Sequence, residues 1–163
     1  ALPADRRAEV ARAWLARPVH GLDAETVEAL ADEVLTVLDH PDLAAVFGPG
    51  SRAEVPLAGV IGETVVSGQV DRLLVTDDHI VVADFKTSRP VPADAAAIPD
   101  AYVRQMALYR AVLRRIYPDR EVSCALVWTA GPGVMVLDPA SMDRVLGGIT
   151  PPPGRRPGVD PGR

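Results

Sequence analysis

Lysine occurs once in the 163 residues, cysteine once, asparagine never and glutamine twice, while arginine occurs 16 times and alanine 24 times. Each shortage closes something. A single cysteine leaves no internal disulfide framework and no CxxC-type zinc or redox pair. Cys124, inside the apolar run Val122–Trp128, reads as a buried structural thiol. The phosphate-binding loop of ATPases needs Gly-Lys-Ser/Thr, and the only lysine, Lys86, follows Phe85, so this chain is not itself a P-loop ATPase. No apolar run approaches the ~20 residues of a membrane span, and the sequence opens without a basic-then-apolar leader. A net charge of −5 speaks against holding nucleic acid by bulk electrostatics, though not against a local basic face. Together these shortages favour a reducing, cytoplasmic setting with no membrane partner.

What is present is an ordinary globular composition, 48% hydrophobic and 24% charged, sufficient for one domain with one core. Residues Asp5–Ala16 read as a helix ending before Pro18. A second helix runs to Leu38 from Asp23 as N-cap, with Val27, Leu30, Val34 and Leu38 at three- and four-residue steps. A short helix is expected from Pro41 to Gly48. The period then changes: Glu54–Val60, Thr64–Val75 and Ile80–Thr87 are rich in β-branched residues and divided by Gly62 and Thr76-Asp77-Asp78-His79, which predicts three antiparallel strands. After the proline-containing loop Ser88–Pro99 come a helix over Asp100–Ile116, strands Val122–Thr129 and Val134–Leu137, and a final helix over Ala140–Leu146. Five Gly and five Pro among Gly147–Arg163 predict a disordered tail. The organisation is therefore a helical part over residues 1–50, an α/β core over 51–146 and a tail over 147–163.

With the hairpin turn centred between Asp77 and Asp78, Leu73 faces Val82, Asp71 faces Asp84 and Gln69 faces Lys86. Directly opposed side chains lie on one side with Cβ atoms ~4.5–5.5 Å apart, and the period of two puts Asp84 and Lys86 on that side together. An Asp-x-Lys alone is commonly a surface ion pair. Here a second aspartate faces the first, the flanks Val70, Leu73, Leu74, Val81, Val82 and Phe85 are apolar, and the lysine has no duplicate. Two facing carboxylates repel unless neutralised, and a divalent cation with hard oxygen ligands, Mg²⁺ or Mn²⁺, is the natural neutraliser. Such a patch is equipped for metal-assisted phosphodiester hydrolysis. On the following helix Gln105 and Tyr109, four residues apart, share a face. Asp100–Arg120 carries Arg104, Arg110, Arg114, Arg115 and Arg120 against Asp100 and Asp119, a pattern that fits a solvated face and a phosphate-binding face equally.

The run Gly68-Gln69-Val70-Asp71-Arg72-Leu73, then Asp84-Phe85-Lys86-Thr87, then Gln105-x-x-x-Tyr109-Arg110 resembles the RecB-type branch of the PD-(D/E)xK nucleases. It is most similar to the C-terminal nuclease domain of AddA-type helicase–nucleases, from about Glu54 to Leu137. The resemblance implies a restriction-endonuclease-like core, a mixed sheet flanked by helices, and a metal-dependent DNA nuclease of double-strand break repair and recombination in the bacterial cytoplasm. It implies Asp71 and Asp84 as metal ligands with the Phe85 backbone carbonyl, Lys86 as the catalytic lysine, and Gln105 and Tyr109 as supports for the site and the DNA strand. Gln69 and Glu54 border the site in this reading. The implied partners are a single DNA strand emerging from a helicase and an AddB-like protein, with ATP used only by helicase domains outside this chain. A non-catalytic DNA-channel or scaffold module of the same kind of complex is the alternative.

Two departures from the family pattern stand out. Phe85 replaces a more usual tyrosine, harmless if its carbonyl alone contributes. The family also carries a metal-binding histidine on an upstream helix; His20 follows Pro18, His40 precedes Pro41, and His79 is expected in the exposed hairpin turn. None has the setting of that ligand, so the chain reads as a fragment whose upstream helix is left out, with weak metal binding and low activity expected in isolation.

Overall fold

The computed structural model describes residues 3–131 and 133–149. Two helices lead in: α1 (Ala4–Leu15) and α2 (Ala24–Leu38). The Asp23 carboxylate caps α2 by accepting the Thr26 N–H at 2.7 Å, which satisfies one of the orphan donors of the first turn. Pro41–Leu43 is a single 3₁₀ turn followed by turns rather than the expected helix to Gly48. So short a segment gains too few intrahelical bonds to offset nucleation.

Five strands follow: β1 (Ser51–Ile61), β2 (Thr64–Val75), β3 (His79–Lys86), β4 (Glu121–Trp128) and β5 (Gly133–Val136). They form one mixed sheet in the order β1-β2-β3-β4-β5. The first three are an antiparallel meander, β3 and β4 run parallel, and β5 returns antiparallel. A parallel neighbour requires a crossover, and α3 (Asp100–Ile116) supplies it. The last helix, α4 (Pro139–Ile149), continues beyond the expected end at Leu146; the remainder of the expected tail, 150–163, lies outside the described residues.

The main core lies between the sheet and α3 with α4, around Val70, Val82, Met106, Leu113, Leu126 and Trp128. A second, smaller one joins Val37 of α2, Leu43 and Val46 to Ala83 and Val127 on the opposite face. Alternation along β3 divides its residues between these two layers: Ile80 and Val82 go to the α3 face, Val81, Ala83 and Phe85 to the other. By the same alternation Asp84 and Lys86 point to the α3 face, at the end of a strand buried on both sides.

Candidate active site

The β2–β3 register is the expected one, with Leu73 opposite Val82 and Arg72 opposite Ala83. At the next position the backbone ladder stops. Instead of a carbonyl across the ladder, the Phe85 N–H donates to the Asp71 carboxylate at 2.7 Å. The pairing of Gln69 with Lys86 consequently does not form. Gln69 pairs with Pro56 of β1, its side-chain amide donates to the Glu54 carboxylate, and its backbone carbonyl accepts from the Tyr109 hydroxyl at 3.3 Å. The β1–β2 ladder also loses one step here, between Ala53–Arg72 and Val55–Val70, where Glu54 takes a left-handed φ of 53°. That conformation is costly for a residue with a Cβ, on the order of 1 kcal/mol, and such strain collects where a site is being shaped.

The parting of β2 from β3 leaves a concave end to the sheet. Asp84 is buried, 4% exposed, and its Oδ2 lies 2.5 Å from the Lys86 Nζ. Among the described residues Lys86 is the one cation that pairs with this carboxylate. Burial pushes the Asp84 carboxyl above the ordinary carboxylate value; Lys86 pulls it back in part, and neighbouring Asp71 adds to the rise. Lys86 also donates to the Gln105 Oε1 at 3.1 Å, and its ammonium sits 4.2 Å from the centre of the Tyr102 ring. Gln105 in turn donates to the Tyr109 hydroxyl at 3.2 Å. One chain of contacts thus runs Asp84–Lys86–Gln105–Tyr109–Gln69 across three elements.

The parallel ladder decides where the Phe85 carbonyl points. The Thr129 N–H donates to the Lys86 carbonyl, so Lys86 is bonded toward β4. Its neighbour Phe85 is turned the other way, toward β2, beyond the last β2–β3 pair.

Asp71, Asp84, Lys86, Gln105 and Tyr109 are therefore brought together; Glu54 and the Gln69 side chain face each other on the exposed side. Tyr102 was missed, although it stands three residues before Gln105 and seven before Tyr109 on one helical face. The histidines lie elsewhere. His20 packs against the Trp14 ring, the His40 Nδ1 accepts the Asp42 N–H, and His79 is the half-buried first residue of β3 beside Glu121 rather than a free turn residue. Among the described residues no group of three or more His, Cys, Asp or Glu is gathered as for a metal ion. Nor is any described helix long and apolar enough to cross a membrane.

Fold and site together define an α/β domain that holds paired carboxylates and a lysine where a mixed sheet opens. The chain belongs to the PD-(D/E)XK nuclease superfamily, whose family model matches residues 2–144. It is also similar to an ATP-dependent helicase/nuclease protein of Streptococcus suis (strain 98HAH33), 32% identical over 77 residues, which are 45% of this chain and 6% of that protein. A solved structure described as the crystal structure of SSO0001 aligns at a TM-score of 0.38 and 16% identity, covering 82% of this chain and 66% of that one.

Proposed function

We propose that this is a metal-dependent DNA nuclease domain, hydrolysing phosphodiester bonds within a bacterial helicase–nuclease of double-strand break repair. The observation that carries the reading is the buried Asp84 carboxylate, paired with the only lysine of the chain and with Asp71 beside it. Superfamily membership supports nuclease chemistry, and the similarity to an ATP-dependent helicase/nuclease subunit supports a setting with ATP used elsewhere in a complex, in which the proposed partner is AddB-like.

Asp71, Asp84 and the Phe85 carbonyl would hold Mg²⁺ or Mn²⁺, a donor set of hard oxygens that suits either ion. Such an ion, when bound, stabilises charge on a phosphoryl oxygen and acidifies its water. The protein's own contribution centres on Lys86. Gln105, Asp84 and the Tyr102 ring surround the ammonium on three sides and fix its position at the open end of the sheet. Charge fixed in advance beside a reacting phosphate acts in turnover rather than in affinity. Tyr109 and Gln105 are positioning residues in this scheme, and Glu54 and Gln69 border it.

A non-catalytic DNA-channel module is the second reading, favoured by the lack of a third acidic or histidine ligand among the described residues. Strand cleavage by the intact polypeptide with Mn²⁺ separates the two. Lys86→Ala is expected to lower turnover at least a hundredfold, about 2.7 kcal/mol of barrier, with DNA affinity kept. Calorimetric Mn²⁺ binding is expected to disappear in Asp84→Ala. Parent-level cleavage by Lys86→Ala would refute the catalytic assignment.

A further inference from the structure

The structure sorts the five arginines of α3 and the turn after it. Arg110 donates to the Asp143 carboxylate at 2.5 Å and to the Val122 carbonyl, Arg115 donates to the Val60 carbonyl, and Arg120 lies 4.9 Å over the Tyr117 ring. Arg114 borders a hollow on the α4 side that already contains Asp143. Arg104 is exposed, has no ion-pair or hydrogen-bond partner among the described residues, and stands on the other side, beside Gln105.

There it borders an open hollow of about 340 Å³ between β2 and α3, whose walls include Ser67, Gln105 and Tyr109. The hollow shares Gln105 with the candidate active site, since the same side chain accepts from Lys86. Among the described residues no acidic one lines it, in a chain of net charge −5. Ala101 and Leu108 of α3 give it an apolar wall. An uncompensated guanidinium beside an amide side chain and an apolar wall is what a sugar–phosphate unit requires, and a guanidinium matches phosphate with two parallel N–H bonds.

We infer that this hollow is a backbone subsite for one DNA strand, with Arg104 as the ligand of a phosphate neighbouring the one at Lys86. The inference rests on the nuclease reading, which brings a strand to Lys86. Arg104 is a positioning residue, and it acts on affinity.

The test is fluorescence-anisotropy binding of a single-stranded oligodeoxynucleotide in EDTA across a salt series, with thermal melts to confirm folding. Removing one phosphate contact lowers the slope of log affinity against log salt by ~0.7. Arg104→Ala is expected to show that drop with roughly three- to tenfold weaker binding at low salt, while Arg104→Lys keeps the slope. Arg17→Ala, an exposed arginine outside this hollow, is expected to behave as the parent. An unchanged slope in Arg104→Ala, an equal loss in Arg17→Ala, or no binding by the parent overturns the subsite. The two readings fail separately: Lys86→Ala cleaving like the parent removes catalysis and leaves the Arg104 slope, whereas an unaffected Arg104→Ala beside an inactive Lys86→Ala does the reverse.

Discussion

Asp71 has two demands on one carboxylate. Like-charge repulsion from Asp84 argues that removing its charge relieves the fold, as for any facing pair of acids. The Phe85 N–H argues the opposite, because at 2.7 Å that donor has taken Asp71 in place of a ladder carbonyl. The two effects are separable by substitution. Asparagine retains a side-chain oxygen and loses the charge, so Asp71→Asn is expected within about 1 kcal/mol of the parent in EDTA, on either side of zero. Alanine leaves a part-buried backbone donor without a partner, and Asp71→Ala is expected to cost on the order of 1–3 kcal/mol. Urea denaturation of the three proteins measures both. Equal stability of the alanine and asparagine variants would mean that the Phe85 N–H finds water without penalty. Asp84 offers no such separation, since its removal also deprives Lys86 of the anion it pairs with.

At the scale of elements, the site depends on how closely β2 approaches α3 at Gly68. Gly68 lies under the Tyr109 ring, and a Cβ at Gly68 would overlap the Tyr109 hydroxyl. Absence of a side chain there lets the hydroxyl reach the Gln69 carbonyl and hold Gln105 toward Lys86. Gly68→Ala is expected to destabilise by roughly 1–3 kcal/mol and to lower cleavage with it, by displacing that ring. Tyr109→Phe added to Gly68→Ala should recover part of the stability, and thermal melts of the single and double variants check this. A Gly68→Ala protein as stable and active as the parent would show that α3 yields without consequence. The alternation of β2 and β3 and the turn between them made their register legible, and with it the common side of Asp71, Asp84 and Lys86. The helical spacing of Gln105 and Tyr109 was equally readable. Where the ladder ends was not, because a backbone N–H choosing a carboxylate over a carbonyl is a local competition with no periodic signature. The left-handed Glu54 and the Glu54–Gln69 contact sit at the neighbouring break in the β1–β2 ladder and were hidden for the same lack of a periodic signal.

For the whole molecule, the sheet and α3 enclose one main core, and Cys124 reports on its integrity. The thiol is fully buried on β4, its Sγ 3.8 Å from the Met106 carbonyl of α3, so it meets solvent only when that layer opens. Burial pushes its pKa from 9.0 up to about 12, with Arg110 pulling weakly the other way. The sign of the linkage follows. In the unfolded chain the thiol ionises near its ordinary value, while in the folded chain it stays protonated; its contribution to stability is whole below pH 9.0 and is lost as pH climbs toward 12. Other groups titrate in the same range, so the comparison is with Cys124→Ala, which shares them. Relative to that variant, the parent is expected to lose up to about 1.4 kcal/mol per pH unit above pH 9.0. Urea denaturation of both proteins at pH 8, 9, 10 and 10.5 gives the difference directly. Thiol labelling at pH 8 should track unfolding rather than the reagent concentration, as it does for an inert buried cysteine. Parallel pH curves for parent and Cys124→Ala, or rapid labelling of the native protein, would mean that the layer between β4 and α3 admits solvent without unfolding.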